Sequence, residues 1–146
     1  MSPRTRPSLR KKPRQERSKA TVELILEAAA HILVSSGYDG TTTKHVAERA
    51  GVSIGSFYQY FPSKESLVAM LIERLQQRVL GLLSERLRPH SIDDPEREVR
   101  ELVRAFIEVY ADNPALQRIL LEVAPRIGMQ QSTREIESRE IGRAHV

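Results

Sequence analysis

The sequence predicts an all-α protein, and three features of the 146-residue chain lead to this prediction. Apolar residues recur at steps of three and four along most of the chain, which is the spacing of one face of an α-helix. Hydroxyl, Asp or Asn residues that can cap a helix start precede these stretches, and Gly or Pro follows them. The alternation of apolar and polar residues that is typical of a half-buried strand is absent from the sequence.

The first half of the chain predicts three helices joined by short turns. Helix 1 is expected over about residues 18–36 and ends at Gly37, a residue suited to a left-handed cap. Helix 2 is short and follows the threonines at 41–43, which can cap its start. Ser53 can cap helix 3, which carries four aromatic residues and is stopped by Pro62.

The second half predicts three more helices. Ser63 can cap helix 4, whose apolar stripe runs over residues 67–82. Asp94 and the proline after it are a strong start signal for helix 5, because Pro is favoured at the first helical position. Asn113 and its following proline repeat that pattern for helix 6, which we expect to end at Pro125.

The composition excludes several classes of function. With no Cys, the chain cannot be a disulfide scaffold, a thiol enzyme or a thiolate-bound metal protein. It holds no phosphate loop, no metal-ligand set and no constellation of nucleophile, base and orienting group, so we expect neither an enzyme nor a cofactor. It also lacks a long apolar stretch and a signal peptide, which predicts a cytoplasmic protein without a membrane partner.

Positive charge is concentrated at the N-terminus. Residues 1–19 contain eight basic side chains and one acidic side chain, whereas the other 127 residues contain fifteen basic and eighteen acidic ones. A basic arm on a mildly acidic body is typical of proteins that bind nucleic acid. The charge alone fits a disordered, solubilising tail equally well. The three prolines at 3, 7 and 13 predict that residues 1–17 are unstructured.

The first three predicted helices have the layout of a helix-turn-helix: a helix, a short helix, a turn with glycine and another short helix. The second helix of this motif lies in the major groove of DNA. Ala47 and Ala50 are small enough to let helices 2 and 3 cross closely. The Ser-Ile-Gly-Ser surface at 53–56 has no long charged side chain, so helix 3 can approach base edges. Tyr58 and Tyr60 can reach thymine methyl groups or phosphates.

Four blocks of the sequence together resemble the N-terminal domain of tetracycline-repressor-type (TetR/AcrR-like) transcriptional regulators. They are ILEAA at 25–29, GYDGTT at 37–42, VAERAGVS at 46–53 and GSFYQYFPSKESL at 55–67, and the similarity is continuous over roughly residues 18–72. The resemblance implies an all-α homodimer with an N-terminal three-helix DNA-binding domain. It also implies a C-terminal helical domain for a small effector and for dimerisation.

The resemblance also implies roles for individual residues. Thr42 and Thr43 would face phosphate at the start of helix 2, with Lys44 in or beside the groove. The base-facing positions would be Ile54, Gly55, Ser56 and Tyr58. The residues that meet the DNA backbone would be Gln59, Tyr60 and Lys64, and Phe57 would lie in the core.

Each of these residues has a plainer interpretation. Thr42, Thr43 and Ser53 can be simple helix caps, although capping and phosphate contact are compatible because both use a helix N-terminus. Tyr58 and Tyr60 can be packing residues, and Lys44 and Lys64 can be solvated charges. Beside a DNA-binding domain, contact of the basic arm with a groove or with phosphate becomes the favoured interpretation.

The resulting hypothesis is a sequence-specific transcriptional regulator, of the repressor kind, that a small-molecule effector releases from its operator. Its partners would be a pseudo-palindromic double-stranded DNA operator, an effector and a second copy of the full-length chain. The alternative is a helical protein-interaction module that does not bind DNA. Salt-dependent retention on DNA distinguishes the two.

The expected domain organisation has four parts. Residues 1–17 are the basic arm, residues 18–65 the helix-turn-helix domain and residues 66–139 an incomplete C-terminal regulatory domain. We expect residues 140–146 to be a non-native tail, because they can be back-translated into codons that resemble a widely used sequencing adapter. The expected polypeptide is therefore a fragment of a longer regulator, without the helices of a dimer interface.

Overall fold

The computed structural model describes residues 11–87 and 94–143, with side chains for residues 14–87 and 94–128. These residues form six helices and no strand, which confirms the all-α prediction. The chain divides into two compact units, Met1–Lys64 and Glu65–Val146. The helices are α1 (Lys11–Ser36), α2 (Thr43–Ala50), α3 (Ile54–Tyr60), α4 (Lys64–Arg86), α5 (Pro95–Asp112) and α6 (Pro114–Arg143).

Helix α1 begins seven residues earlier than the sequence analysis predicted, at Lys11 instead of Ser18. The prediction of an unstructured arm is therefore wrong for residues 11–17, and residues 1–10 lie outside the described part of the chain. Pro13 is only the third residue of the helix, where a backbone N–H has no intrahelical partner to lose. The Arg, Gln, Glu and Lys residues that follow it are good helix formers.

The first unit has a continuous apolar core. Ile25 and Leu33 of α1, Val46 of α2 and Phe57 of α3 are fully buried. The alanine at 47 is also buried, as expected of a small residue where α2 and α3 cross closely. Burial of apolar area of this kind is the main favourable contribution to folding, and it fixes α2 and α3 on the scaffold of α1.

The turn between α1 and α2 depends on close backbone approach. Gly37 has a φ of 70°, in the left-handed region, and its N–H donates to the Leu33 carbonyl at 2.8 Å. A Cβ at Gly40 would lie 2.3 Å from the carbonyl oxygen of Ser36. Buried Thr41 closes the turn by donating its hydroxyl to the Gly37 carbonyl at 2.7 Å.

The turn between α2 and α3 is the helix-turn-helix turn. Thr42 caps α2 by accepting the backbone N–H of His45. Gly51 ends α2 with a φ of 71°, and the next residue, Val52, donates its N–H to the Ala47 carbonyl at 3.0 Å. This 6→1 hydrogen bond is the Schellman end of a helix. The predicted glycine turn is thus present.

The second unit contains most of α4 together with α5 and α6. Asp94 caps α5 and Pro95 stands at its start, as predicted. Across the helix pair, the Arg78 guanidinium of α4 donates to the Asp112 carboxylate of α5 at 2.7 Å. Both side chains are well exposed, so this ion pair contributes little to stability.

Helix α6 does not end at Pro125, contrary to the prediction, but continues to Arg143. Val123 and Ile127, on either side of the proline, are both buried on the side that also buries Leu120. A proline removes one hydrogen bond of the helix interior, and continued burial of this apolar stripe offsets the loss. Of the predicted tail, residues 140–143 belong to α6, and 144–146 lie outside the described residues.

The described residues, 11–87 and 94–143, hold neither a membrane-spanning helix nor a metal-binding cluster. No helix among them has the length and apolarity needed to span a bilayer. Nor do the described side chains contain a group of three or more His, Cys, Asp or Glu residues that could hold a metal ion.

Candidate nucleic-acid interface

Helix α3 presents an exposed, uncharged surface opposite the core. Phe57 has no exposed area and anchors the helix, which confirms the prediction that it lies in the core. Ile54 is 43% exposed, although it is a large apolar residue. Gly55 is exposed as well, and a Cβ there would meet nothing closer than the Ser53 Oγ at 4.0 Å. The fold itself therefore does not require glycine at position 55.

Tyr58 joins α3 to the start of α2. Its hydroxyl lies 2.9 Å from the Thr43 Oγ1, and its ring packs edge-on against Phe57 with centroids 5.5 Å apart. Even so, 48% of the residue is exposed. The contacts with Thr43 and Phe57 hold the ring in place while the rest of it is exposed to solvent. Its position therefore does not depend on a bound partner.

Ser53 and Ser56 form a second small network at the start of α3. The Ser53 Oγ accepts the Ser56 backbone N–H at 3.0 Å and donates to the Ser56 Oγ at 2.9 Å. Thr42 plays the same capping part for α2, with its Oγ1 3.2 Å from the His45 nitrogen. The plain interpretation as caps is therefore correct for Thr42 and Ser53, and it leaves their further lone pairs for a partner. It is wrong for Thr43, which is the first residue of α2 and lies against the Tyr58 hydroxyl.

Lys64 packs against the turn between α1 and α2. Its ammonium donates to the Tyr38 carbonyl at 2.9 Å and lies 4.2 Å from the centroid of the Tyr38 ring. The side chain is half-buried. The plain interpretation of Lys64 as a solvated charge is therefore wrong, because its ammonium is held against the α1–α2 turn, whereas its contact with DNA phosphate stays a prediction.

The remaining predicted residues lie around the same surface. Lys44 and Gln59 are exposed, and Tyr60 is half-buried. Arg14 and Arg17 were not predicted individually as site residues, but they belong to the basic arm, for which contact with a groove or with phosphate was favoured. They lie on α1, and both line a cleft shared with Gln59 and Tyr60.

Comparison with known proteins agrees with this geometry. Residues 25–71 match the family model described as bacterial regulatory proteins, tetR family. The chain therefore contains a domain similar to the tetR family over these residues. The match covers α2 and α3 with the second part of α1 and the start of α4, and the resemblance predicted from the sequence blocks is confirmed.

Relatives and solved structures of the tetR family give the same result. The nucleoid occlusion factor SlmA of Actinobacillus pleuropneumoniae is 34% identical over 97 residues, which are 66% of this chain and 47% of that protein. A transcriptional regulator of the TetR/AcrR type from Aquifex aeolicus has a TM-score of 0.61 and 29% identity, over 81% of this chain and 66% of its own. A TetR-family regulator from Marinobacter aquaeolei has a TM-score of 0.64 and 20% identity, over 84% and 66% of the two chains, and shows the shared fold.

The chain spans about half the length of the SlmA relatives it matches. The tetR-family model describes regulatory proteins, in agreement with the prediction of a non-enzyme.

Proposed function

We propose that this chain is a DNA-binding transcriptional regulator that places α3 in the major groove of duplex DNA. The observation that carries the proposal is the exposed surface of α3, which is held rigidly from behind by buried Phe57. The side chains from Ser53 to Tyr60 include no acidic group that would repel phosphate. An open backbone at Gly55 allows the close approach that base-edge contacts require.

The proposed roles of the side chains divide into two groups. Ile54, Gly55, Ser56 and Tyr58 face base edges. Thr42, Thr43, Lys44, Ser53, Gln59 and Tyr60 contact phosphate or sugar, the kind of contact that fixes register without reading sequence. Lys64 supports the α1–α2 turn first, and its two remaining ammonium hydrogens are available to a phosphate.

The regulatory part of the proposal rests on the second unit. A cavity of about 340 Å³ lies among α4, α5 and α6, lined mostly by apolar side chains such as Leu75, Phe106 and Leu120. Apolar linings are typical of small-molecule sites. An effector bound there would shift the conformation of α4, which begins at the last residue of the first unit, and would release the DNA.

Repression and dimeric binding complete this proposal. A two-fold dimer of the full-length regulator would present the same helix to two half-sites about 34–36 Å apart, so its operator would be a pseudo-palindrome. The SlmA relatives are named nucleoid occlusion factors, and that name adds a second candidate use of the same DNA-binding unit.

A selection of bound sequences from random duplex DNA tests the proposal. We expect enrichment of one motif, with an affinity that falls steeply as salt rises. A protein-interaction module would show neither enrichment nor salt-dependent retention, and that result would refute the proposal. The second test deletes the gene for this protein and measures the transcripts of genes beside the bound chromosomal sites. Changed transcript levels indicate a transcriptional regulator, and unchanged levels indicate a DNA-binding factor with another use.

A further inference from the structure

A polar cleft of about 790 Å³ lies between the first turns of α1 and helix α3, within the first unit. Its floor consists of half-buried residues, among which Ser18 and Thr21 come from α1, and Ser56 and Tyr60 from α3. Its rim consists of exposed residues, namely Arg14, Arg17, Ser53 and Gln59, with Gly51 beside them. The cleft exists because α1 begins at Lys11, earlier than the apolar stripe required.

The cleft offers hydrogen-bond donors and positive charge. Two guanidinium groups, five hydroxyl groups and one amide line it, and none of the described lining residues carries a carboxylate. In the part of the chain that the structure describes, neither Arg14 nor Arg17 has an ion-pair partner. Arg, Ser, Thr, Gln and Tyr are the side chains that contact phosphate and sugar in protein–DNA complexes. Arg is especially suited to phosphate, because its planar fork can donate two parallel hydrogen bonds.

We propose that this cleft is a binding site for the phosphodiester backbone of DNA, in which Arg14 and Arg17 each contact a phosphate beside the strand that α3 reads. The inference rests on the proposed function and deepens it. It assigns the helical extension of α1 to DNA binding, and it extends the contacted DNA beyond the base pairs that α3 faces.

The chemistry of the cleft favours the DNA backbone over a small effector. Small-molecule sites are mostly apolar with a few polar groups, as in the cavity among α4, α5 and α6. Here the polar groups dominate, and the two arginines stand on an exposed rim. The cleft also shares Ser53, Ser56 and Gln59 with the proposed DNA-binding surface. A backbone that follows the groove past α3 therefore reaches the arginines without leaving the protein surface.

The test compares the full chain with the double variant Arg14→Ala/Arg17→Ala on the duplex that the random-DNA selection yields. Losing two phosphate contacts lowers the slope of log K against log salt by about 1.8, since each contact contributes about 0.9. The affinity advantage of the unaltered chain over the variant therefore shrinks roughly tenfold between 50 and 200 mM salt. The matched control, Arg97→Ala/Arg100→Ala, also removes two positive charges, but from exposed positions of α5. We expect its salt slope to equal that of the unaltered chain.

A second measurement locates the contacts. Single phosphates of the duplex are replaced, one at a time, by neutral methylphosphonate. At the phosphates that Arg14 and Arg17 contact, we expect the replacement to weaken binding of the unaltered chain but not of Arg14→Ala/Arg17→Ala. Equal slopes for the unaltered chain and the variant overturn the inference and leave the proposed function standing. Equal loss in both double variants also overturns it, because the effect is then diffuse charge. Failure of the unaltered chain to bind any duplex refutes the proposed function itself.

Discussion

Replacing Gly55 by Ala separates the requirements of the fold from those of DNA binding. The new Cβ would lie 4.0 Å from the Ser53 Oγ, which is ordinary van der Waals contact, and no other atom comes within 4 Å. Glycine inside a helix costs roughly 0.5–1 kcal/mol relative to alanine, because the unfolded chain has more conformational freedom to lose. Gly55→Ala therefore leaves the stability unchanged or raises it.

DNA binding is expected to respond in the opposite direction. A methyl group at the point of closest backbone approach forces α3 away from the base edges, and a good base contact contributes about 1–3 kcal/mol of discrimination. Loss of one such contact weakens binding of the selected duplex by roughly 5- to 150-fold. Fluorescence anisotropy on a labelled duplex measures the affinity, and thermal unfolding of the same sample measures stability.

Gly81→Ala is the matched control for this experiment. Gly81 lies inside α4, and a Cβ there has no neighbour within 4 Å. The same chemical change is therefore made in a helix that faces no DNA in the proposal, and we expect higher stability with unchanged affinity. If Gly55→Ala binds the selected duplex as tightly as Gly81→Ala does, the base-facing assignment of α3 is wrong.

Three further substitutions test other contacts. Tyr58→Phe removes the hydroxyl that bonds to α2 at 2.9 Å, and we expect a changed preference among operator variants in a competition assay; an unchanged ranking would count against base contact. Gly40→Ala places a Cβ 2.3 Å from the Ser36 carbonyl, and we expect a loss of about 1–3 kcal/mol in unfolding free energy by denaturant titration, which an unshifted midpoint would contradict. Lys64→Ala removes the hydrogen bond to the Tyr38 carbonyl, so the melting temperature falls even without DNA; a fall in the salt slope by about one, in addition, would reveal a phosphate contact.

The features predicted correctly from the sequence are local ones. Asp94 and Asn113 cap helices through backbone N–H groups three residues later, so the signal and its effect lie within one turn. The left-handed Gly37 and Gly51 follow the same logic, because each ends an apolar stripe. The start of α1 was missed because proline is tolerated in the first turn of a helix, where Pro13 lies. The continuation of α6 past Pro125 was missed because burial of the apolar residues around it offsets the lost hydrogen bond.

The contacts that shape the candidate site could not be predicted in the same way. Tyr58 and Thr43 are 15 residues apart, and Lys64 and the Tyr38 carbonyl are 26 apart. No periodicity or cap pattern marks such pairs, since they depend on how α1, α2 and α3 pack. For Arg14 and Arg17, the helix propensity of their neighbours was the available signal, and three nearby prolines concealed it.

The short turns between α1, α2 and α3 also affect how the protein is made. Six residues separate α1 from α2, and three separate α2 from α3, so the core of the first unit joins residues that are close in the chain. Helical domains with such low contact order fold in about microseconds to milliseconds, whereas a ribosome adds roughly 5–20 residues per second. We expect the DNA-binding unit to reach its folded state while the residues after Lys64 are still being translated. Nascent chains stalled after the first unit has cleared the ribosome would then already resist protease.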